Sequence, residues 1–167
     1  MEPLPQHYRA TVYAGSGVET AYGVGSGSLD SIIGAIPTEF GGPGQGWSPE
    51  HFFVGGAASC LVAMFKVLAA NSRLPFDAIQ VDGEAVLDRD EGGALAFLEV
   101  VLRVRLEIER ERDRARAQRL LEKARSSSIL FRSFLTPVRL ETRIEPRPQA
   151  EATAPLVHRE SVVARVA

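Results

Sequence analysis

The first third of the chain alternates apolar and polar residues between glycine-rich turns, a pattern typical of short strands. We predict three strands there, over residues 8–14, 18–24 and 29–36, joined by glycine-serine turns. A glycine-rich loop follows over residues 38–47. It lacks the Gly-Lys-Ser/Thr ending of a phosphate-binding loop, so its glycines indicate turn geometry.

A long apolar helix is predicted next, over residues 49–71. Ser48 can cap its first free amides, Pro49 fits the first helical position, and Glu50 complements the positive end of the helix dipole. The uncharged run at residues 52–65 is shorter than the ~20 residues that a membrane span needs. We therefore expect a core helix packed on all sides, and no membrane segment.

The second half of the chain predicts more strands and a second helix. The strands are residues 78–87, 94–108 and 137–144, and the amphipathic helix is residues 113–127. Strand 94–108 has the clearest alternation, with one buried face and one mostly polar face. Strands grouped between two helices predict an α+β domain with antiparallel sheet.

We assign residues 1–145 to a single domain and residues 146–167 to a C-terminal tail or extension. The tail contains three valines that could dock it on the domain, or it could bind a larger assembly. The valines are Val162, Val163 and Val166.

Composition narrows the possible functions. With a formal net charge of −2, the chain has no overall field for a nucleic-acid backbone, so we expect no nucleic-acid partner. One cysteine, Cys60, excludes an internal disulfide. The scattered histidines His7, His51 and His158 match no metal-ligand spacing, so we expect neither a metal nor a cofactor. The N-terminus has no secretion-signal pattern, which predicts a cytoplasmic protein.

Motifs around the long helix are more specific. They read Glu-Phe-Gly-Gly at residues 39–42, Ser-Pro-Glu-His-Phe-Phe at 48–53 and Gly-Ala-Ala-Ser-Cys at 56–60. Together with residues 123–130 and 135–140, they resemble the OsmC/Ohr family, which contains thiol-dependent reductases of organic and hydrogen peroxides. The spacing from Pro-Glu to Ser-Cys is the most specific part of the resemblance.

The resemblance implies a fold and a mechanism. It implies an OsmC-like fold, with antiparallel sheets around a long buried central helix, and an intertwined homodimer with active sites at the subunit interface. Cys60 is then the peroxidatic thiolate, which a peroxide oxidises to a sulfenic acid. Glu50 helps to organise an arginine beside the thiolate, a second cysteine forms a disulfide, and an external dithiol reduces it.

The chain departs from the family pattern at two places. Ser128 occupies the second-cysteine position, and a hydroxyl cannot resolve a sulfenic acid. The two segments that carry the family arginine, residues 16–20 and 37–40, contain none, and their glutamates Glu19 and Glu39 disfavour a thiolate. Three other arginines could replace it, although each also fits an ordinary surface charge: Arg9, Arg125 and Arg132.

Three functions stay open. The first is a one-cysteine peroxide reductase that uses Cys60 and Glu50 and is regenerated by an external thiol. The second is a non-catalytic OsmC-like dimer that binds a small hydrophobic ligand or a protein partner, with Cys60 as core packing. The third is a different thiol-dependent activity. Aromatic residues that could line a pocket, or simply form core, are Phe40, Trp47, Phe52, Phe53, Phe131 and Phe134.

Overall fold

A computed structural model describes residues 4–147 and contains two three-stranded sheets and three α-helices in that part of the chain. The part of the predicted tail that follows Arg147, with its three valines, lies outside the described residues. In chain order the elements are β1 (Thr11–Ala14), β2 (Tyr22–Gly25), β3 (Ile32–Gly34), α1 (Pro49–Asn71), β4 (Phe76–Arg89), β5 (Leu95–Ile108), α2 (Arg114–Ser127), α3 (Ile129–Ser133) and β6 (Val138–Pro146).

Helix α1 has the predicted boundaries because both of its ends are chemically specified. At the start, the backbone amide of His51 donates to Ser48 Oγ over 3.3 Å, and the Ser48 amide donates to His51 Nδ1 over 3.2 Å. These reciprocal bonds satisfy two amides that a helix start leaves free. At the other end, Arg73 takes a left-handed backbone conformation, φ 52°, and the helix stops before Pro75.

One face of α1 forms the centre of the core. Ala57, Leu61, Phe65 and Ala69 recur every fourth residue and are fully buried, as expected for one helical stripe. This stripe packs with α2 and the inner face of the second sheet. The opposite face is exposed, with Val67 at 55% accessibility, so the prediction of packing on all sides is wrong within one chain.

By length and composition alone, α1 is apolar enough to cross a membrane, and no other helix in residues 4–147 meets this criterion. Its buried stripe nevertheless packs against neighbouring helices and β4 in the manner of a core helix. The residues left exposed on the opposite face are small or apolar, apart from Ser59 and Lys66.

Strand β5 confirms the predicted alternation. Its inner face is buried almost completely, and consists of Val100, Leu102, Val104, Leu106 and Ile108. Its outer face carries exposed ion pairs, in which Arg103 contacts Glu84 and Arg105 contacts Asp82. The sheet β4–β5–β6 therefore covers the helices with one face and meets solvent with the other.

The sheet containing β5 is mixed. The antiparallel prediction holds for β1–β2, β2–β3 and β4–β5, but β6 runs parallel to β5, with Val100 paired to Val138. Parallel neighbours need a long crossover connection. Here α2 and α3 supply it, and they return the chain to the start of β5.

The N-terminal sheet is smaller than predicted and lies apart from the main core. Its strands pair over only three or four residues each, and their main contacts are with one another. Several large apolar side chains in this region are more than 40% exposed: Val12, Tyr13, Val18, Leu29, Ile32 and Ile33. This sheet does not bury an apolar face within one chain.

Ser128 separates α2 from α3. It is the one residue between these two helices, and its extended backbone, with ψ 124°, stops α2. The same residue caps the start of α3 through its side chain. The sequence analysis did not predict α3, since five residues are too few to show a helical period.

Candidate functional site

The two cysteine positions implied by the sequence meet at the junction of α1, α2 and α3. Cys60 Sγ, halfway along α1, lies 3.1 Å from Ser128 Oγ, although the two residues are 68 positions apart in the chain. Ser128 is fully buried, while Cys60 keeps partial exposure. The structure therefore brings together these two predicted residues.

A second hydrogen bond holds the Ser128 side chain. The backbone amide of Phe131 donates to Ser128 Oγ over 3.4 Å, which caps the first turn of α3. The buried hydroxyl thus contacts both the sulfur of α1 and the amide of α3. Its orientation is fixed by helix geometry rather than by solvent.

An aromatic stack lies about two turns of α1 before Cys60. Phe53 of α1 stacks on Phe97 of β5, with ring centres 4.7 Å apart, and its other neighbour is Phe134, at 4.6 Å. Phe131 contacts Phe134 at 6.4 Å. Phe97 was missed by the sequence analysis because it lies on a strand far from the motif segments.

The remaining predicted aromatics lie near the start of α1. Trp47 contacts Phe52, with ring centres 5.7 Å apart, and the His51 ring at 6.2 Å. Trp47 and Phe40 are each about half exposed. They are therefore not part of the closed core of one chain.

Glu50 occupies a different place from Cys60. Both lie on α1, ten positions apart, which corresponds to about 15 Å along a helix axis, so the two side chains are not in direct contact and a third group would have to bridge them in a common site. Glu50 lines a cleft of about 410 Å³. Its Oε2 atom is buried and has no hydrogen-bond partner among the described residues. Other cleft residues are Pro37, Glu39, Phe40, Ala85, Leu87 and Phe97.

No arginine of residues 4–147 forms a hydrogen bond or ion pair with Cys60 or Glu50. Arg125 is held elsewhere, with Nε 3.5 Å from Glu122 and a guanidinium nitrogen donating to the Val138 carbonyl over 3.3 Å. Arg9 and Arg132 are exposed. None of the three candidate arginines thus pairs with the Cys60 sulfur, whose polar partner is the neutral hydroxyl of Ser128.

The described residues contain no group of three or more histidine, cysteine, aspartate or glutamate side chains that could hold a metal ion. The polar groups in contact at the junction are a thiol, a hydroxyl and a backbone amide. Such a set can support nucleophilic sulfur chemistry once the sulfur is ionised.

Comparison with known proteins adds the family. The family model described as "OsmC-like protein" matches residues 42–143, which is more than half of the chain. The chain belongs to the OsmC-like family. The match includes both Cys60 and Ser128, so the contact between them lies inside the recognised domain.

A curated relative and solved structures agree with this family. The uncharacterised protein YmaD of Bacillus subtilis is 27% identical over 119 residues, which cover 70% of this chain and 78% of YmaD. The OsmC-like fold is also that of an OsmC-like protein of unknown function from Vibrio cholerae, with a TM-score of 0.76, 18% identity, and coverage of 83% of this chain and 100% of that one.

The organic hydroperoxide resistance protein OhrB of Bacillus subtilis has the same fold. Its TM-score is 0.61 at 24% identity, and the alignment covers 81% of this chain and 98% of OhrB. These structural likenesses confirm the predicted OsmC-like α+β fold with a central helix.

Proposed function

We propose that this OsmC-like protein is a one-cysteine, thiol-dependent peroxide reductase that uses Cys60 as its peroxidatic residue. The observation that carries the proposal is the 3.1 Å contact between Cys60 Sγ and Ser128 Oγ at the two positions where the family resemblance implies cysteines. The likeness to OhrB, an organic hydroperoxide resistance protein, supports a peroxide as substrate.

The reaction follows from sulfur chemistry. The Cys60 thiolate attacks one oxygen of a hydroperoxide, the O–O bond breaks, and the leaving alkoxide takes a proton to become an alcohol. The product on the protein is a cysteine sulfenic acid. Ser128 has no sulfur with which to form a disulfide, so an external thiol attacks the sulfenic acid and releases water. A second thiol then frees Cys60 and leaves as the external disulfide.

The surroundings favour an organic hydroperoxide with an apolar tail. The aromatic stack of Phe53, Phe97 and Phe134 lies about two turns of α1 from Cys60, and its rings are only partly buried. Leu130 of α3 packs over Gly56, one helical turn before Cys60. An alkyl or aryl group would find contact area here that hydrogen peroxide cannot use.

We also propose that two copies of the chain form a homodimer. The support is threefold: the exposed face of α1 around Val67, the exposed apolar side chains of the N-terminal sheet, and the unpartnered buried carboxylate oxygen of Glu50. Contiguous exposed apolar surface marks an interaction site. A second copy can cover both apolar areas and supply a donor to Glu50.

Light scattering coupled to size exclusion tests the dimer and should give twice the chain mass. Val67→Glu should lower the measured mass to that of one chain.

Peroxide consumption tests the proposed activity. Purified protein receives an organic hydroperoxide and dihydrolipoamide, and we expect turnover that Cys60→Ser abolishes. Ser59→Ala is the matched control, because Ser59 is exposed and bonds only the Gly56 carbonyl of its own helix. Turnover that persists in Cys60→Ser would contradict the proposal. So would no turnover together with no labelling of Cys60 by a sulfenic-acid probe.

A non-catalytic binding protein is the second candidate, and one observation favours it. Among the described residues, no arginine contacts the Cys60 sulfur, so the usual cationic support for a thiolate is missing. In this case the protein would bind an apolar fluorescent probe saturably, equally in wild type and Cys60→Ser, without consuming peroxide. Phe134→Ala should weaken that binding, whereas Tyr8→Ala, which removes a largely exposed ring in the N-terminal segment, should not.

A further inference from the structure

We infer that Ser128 is a positioning residue that donates its hydroxyl proton to the Cys60 sulfur and thereby favours the thiolate. In this role Ser128 supports the thiolate in place of the missing arginine, and it is more than a position at which the second cysteine has been lost. The catalytic meaning of this inference rests on the proposed function, but the hydrogen bond itself is independent of any peroxide reaction.

The argument starts from the number of bonds a serine hydroxyl can make. It has one proton to donate and two lone pairs to accept with. The Phe131 amide can only donate, so its 3.4 Å contact uses one lone pair of Ser128 Oγ. The other polar contact of this fully buried oxygen is Cys60 Sγ at 3.1 Å. The sulfur is therefore the acceptor within reach of the hydroxyl proton whenever Ser128 is the donor of this contact.

Ionisation of the sulfur strengthens this bond. A neutral thiol and a hydroxyl can each donate to the other, so the contact favours neither role. A thiolate has no proton, which leaves Ser128 as the donor in a charge-assisted hydrogen bond. Such bonds are roughly twice as strong as neutral ones. The contact thus stabilises the charged form of Cys60 relative to the neutral form.

Charged side chains do not supply this stabilisation. Those on α1 and on the elements packed against it are exposed, except Glu50 and Arg116, which are half-buried, and none hydrogen-bonds the sulfur. Several are paired across the outer face or along their own helix. The charged side chains on these elements are Glu50 and Lys66 on α1, Asp77, Asp82, Glu84, Asp88 and Arg89 on β4, Arg114, Arg116, Arg119, Glu122, Lys123 and Arg125 on α2, and Arg132 on α3. The polar group that contacts the sulfur directly is the neutral Ser128 hydroxyl.

The same residue affects the oxidised state. A cysteine at this distance would condense with the sulfenic acid and release water. A serine hydroxyl does not, so the sulfenic acid of Cys60 should last until an external thiol reaches it. Ser128 would then support formation of the thiolate and leave its oxidised product open to the external reductant.

Alkylation of Cys60 by iodoacetamide tests the inference without peroxide, and Cys60 is the only thiol in the chain. We expect Ser128→Ala to move the midpoint of the rate-against-pH curve upward by about one pH unit, and to slow alkylation about tenfold below that midpoint, as for loss of a hydrogen bond to a charged group. An unchanged midpoint in folded Ser128→Ala would overturn the inference.

Three further variants separate the hydrogen bond from helix capping. Ser128→Gly also lacks the hydroxyl, but glycine is tolerated at an N-cap, so it should show the same shift even where the alanine variant fails to fold. Ser127→Ala removes a neighbouring hydroxyl, and Ser133→Ala removes one that bonds Ile129 within α3. Both should keep the wild-type midpoint, and a shift equal to that of Ser128→Gly would contradict a specific bond. A shift in Ser128→Gly without any peroxide turnover in wild type would refute the proposed function alone.

Discussion

Cys60 and Glu50 both lie on α1, but they differ in whether one chain supplies a hydrogen-bond partner for the side chain. At Cys60, the sulfur meets a buried hydroxyl that α2 and α3 hold in place. At Glu50, one carboxylate oxygen is buried without a partner among the described residues. A buried polar atom without a partner carries a desolvation cost, so such atoms are rare in native structures. The thiol junction is built by one chain, whereas we assign the completion of the glutamate site to a second copy.

The largest expected effect comes from giving the thiol junction a second sulfur. Ser128→Cys should form a disulfide with Cys60 on oxidation, because a bond of about 2 Å requires only a further approach of about 1 Å. Closing a loop of this length should raise the free energy of unfolding by about 4 kcal/mol over the reduced variant. Urea unfolding and thiol titration with and without oxidant measure both quantities.

Ser127→Cys is the control for that experiment, since residue 127 does not contact the sulfur in the described structure. It should retain two free thiols under the same oxidant. If Ser128→Cys also keeps both thiols while remaining folded, the two side chains are not adjacent.

The next effect concerns the core beside the cysteine. Leu61→Ala should lower the free energy of unfolding by about 3 kcal/mol, because Leu61 is fully buried and its loss leaves a cavity. Leu135→Ala makes the same chemical change at a fully exposed position and should cost less than about 0.5 kcal/mol. Equal losses in chemical denaturation would show that α1 does not pack as described.

A smaller effect should follow from removing the charge of Glu50. If a second copy donates to its carboxylate, Glu50→Gln should weaken the dimer by about 2 kcal/mol, as for loss of a hydrogen bond to a charged group. Dilution of wild type and variant in an analytical ultracentrifuge measures this loss. Glu91→Gln, in the exposed β4–β5 turn, should leave the dimer unchanged. A dimer strengthened by Glu50→Gln would indicate that no donor reaches the carboxylate.

The smallest effect lies on the outer face of β4–β5–β6, away from both positions. A hydrogen bond from Arg139 lowers the pKa of Glu141, and bonds from Gln80 and Arg105 lower the pKa of Asp82. Because the pKa values of these carboxyl groups are lower in the folded than in the unfolded chain, the ionised groups stabilise the fold at pH values above their ordinary pKa. This stabilisation is lost as the pH falls through the lowered pKa values of the folded state.

Urea midpoints at about pH 7 and about pH 3 should therefore differ slightly less in Glu141→Gln than in wild type. The effect is small because the side chains are exposed to solvent. An equal or larger difference in Glu141→Gln would contradict this account.

The sequence predicted those parts of the molecule whose signals are local. The Ser48 cap defines the start of α1, and the alternation of β5 separates its inner and outer faces. The parallel pairing of β6 was not predictable in this way, because it depends on how α2 and α3 cross the sheet.

Non-local contacts limited the prediction of the site in the same way. No local pattern links Cys60 to Ser128 across 68 positions, and only the family resemblance suggested that they meet. No local pattern predicted that one carboxylate oxygen of Glu50 would be buried without a partner among the described residues. The family motif suggested which positions to compare, and the contacts show that Cys60 and Ser128 meet while Glu50 lies elsewhere on α1.

The extended backbone of Ser128 has a consequence for the aromatic stack. A helix that continued through this residue would carry Phe131 and Phe134 onward along the axis of α2, away from Phe53. The single non-helical residue turns the chain so that Phe134 reaches Phe53 of α1 and Phe131 contacts Phe134. The position of these aromatic rings thus depends on the backbone conformation of one residue, Ser128. A substitution that lets α2 and α3 continue as one helix would displace the rings without changing any aromatic residue.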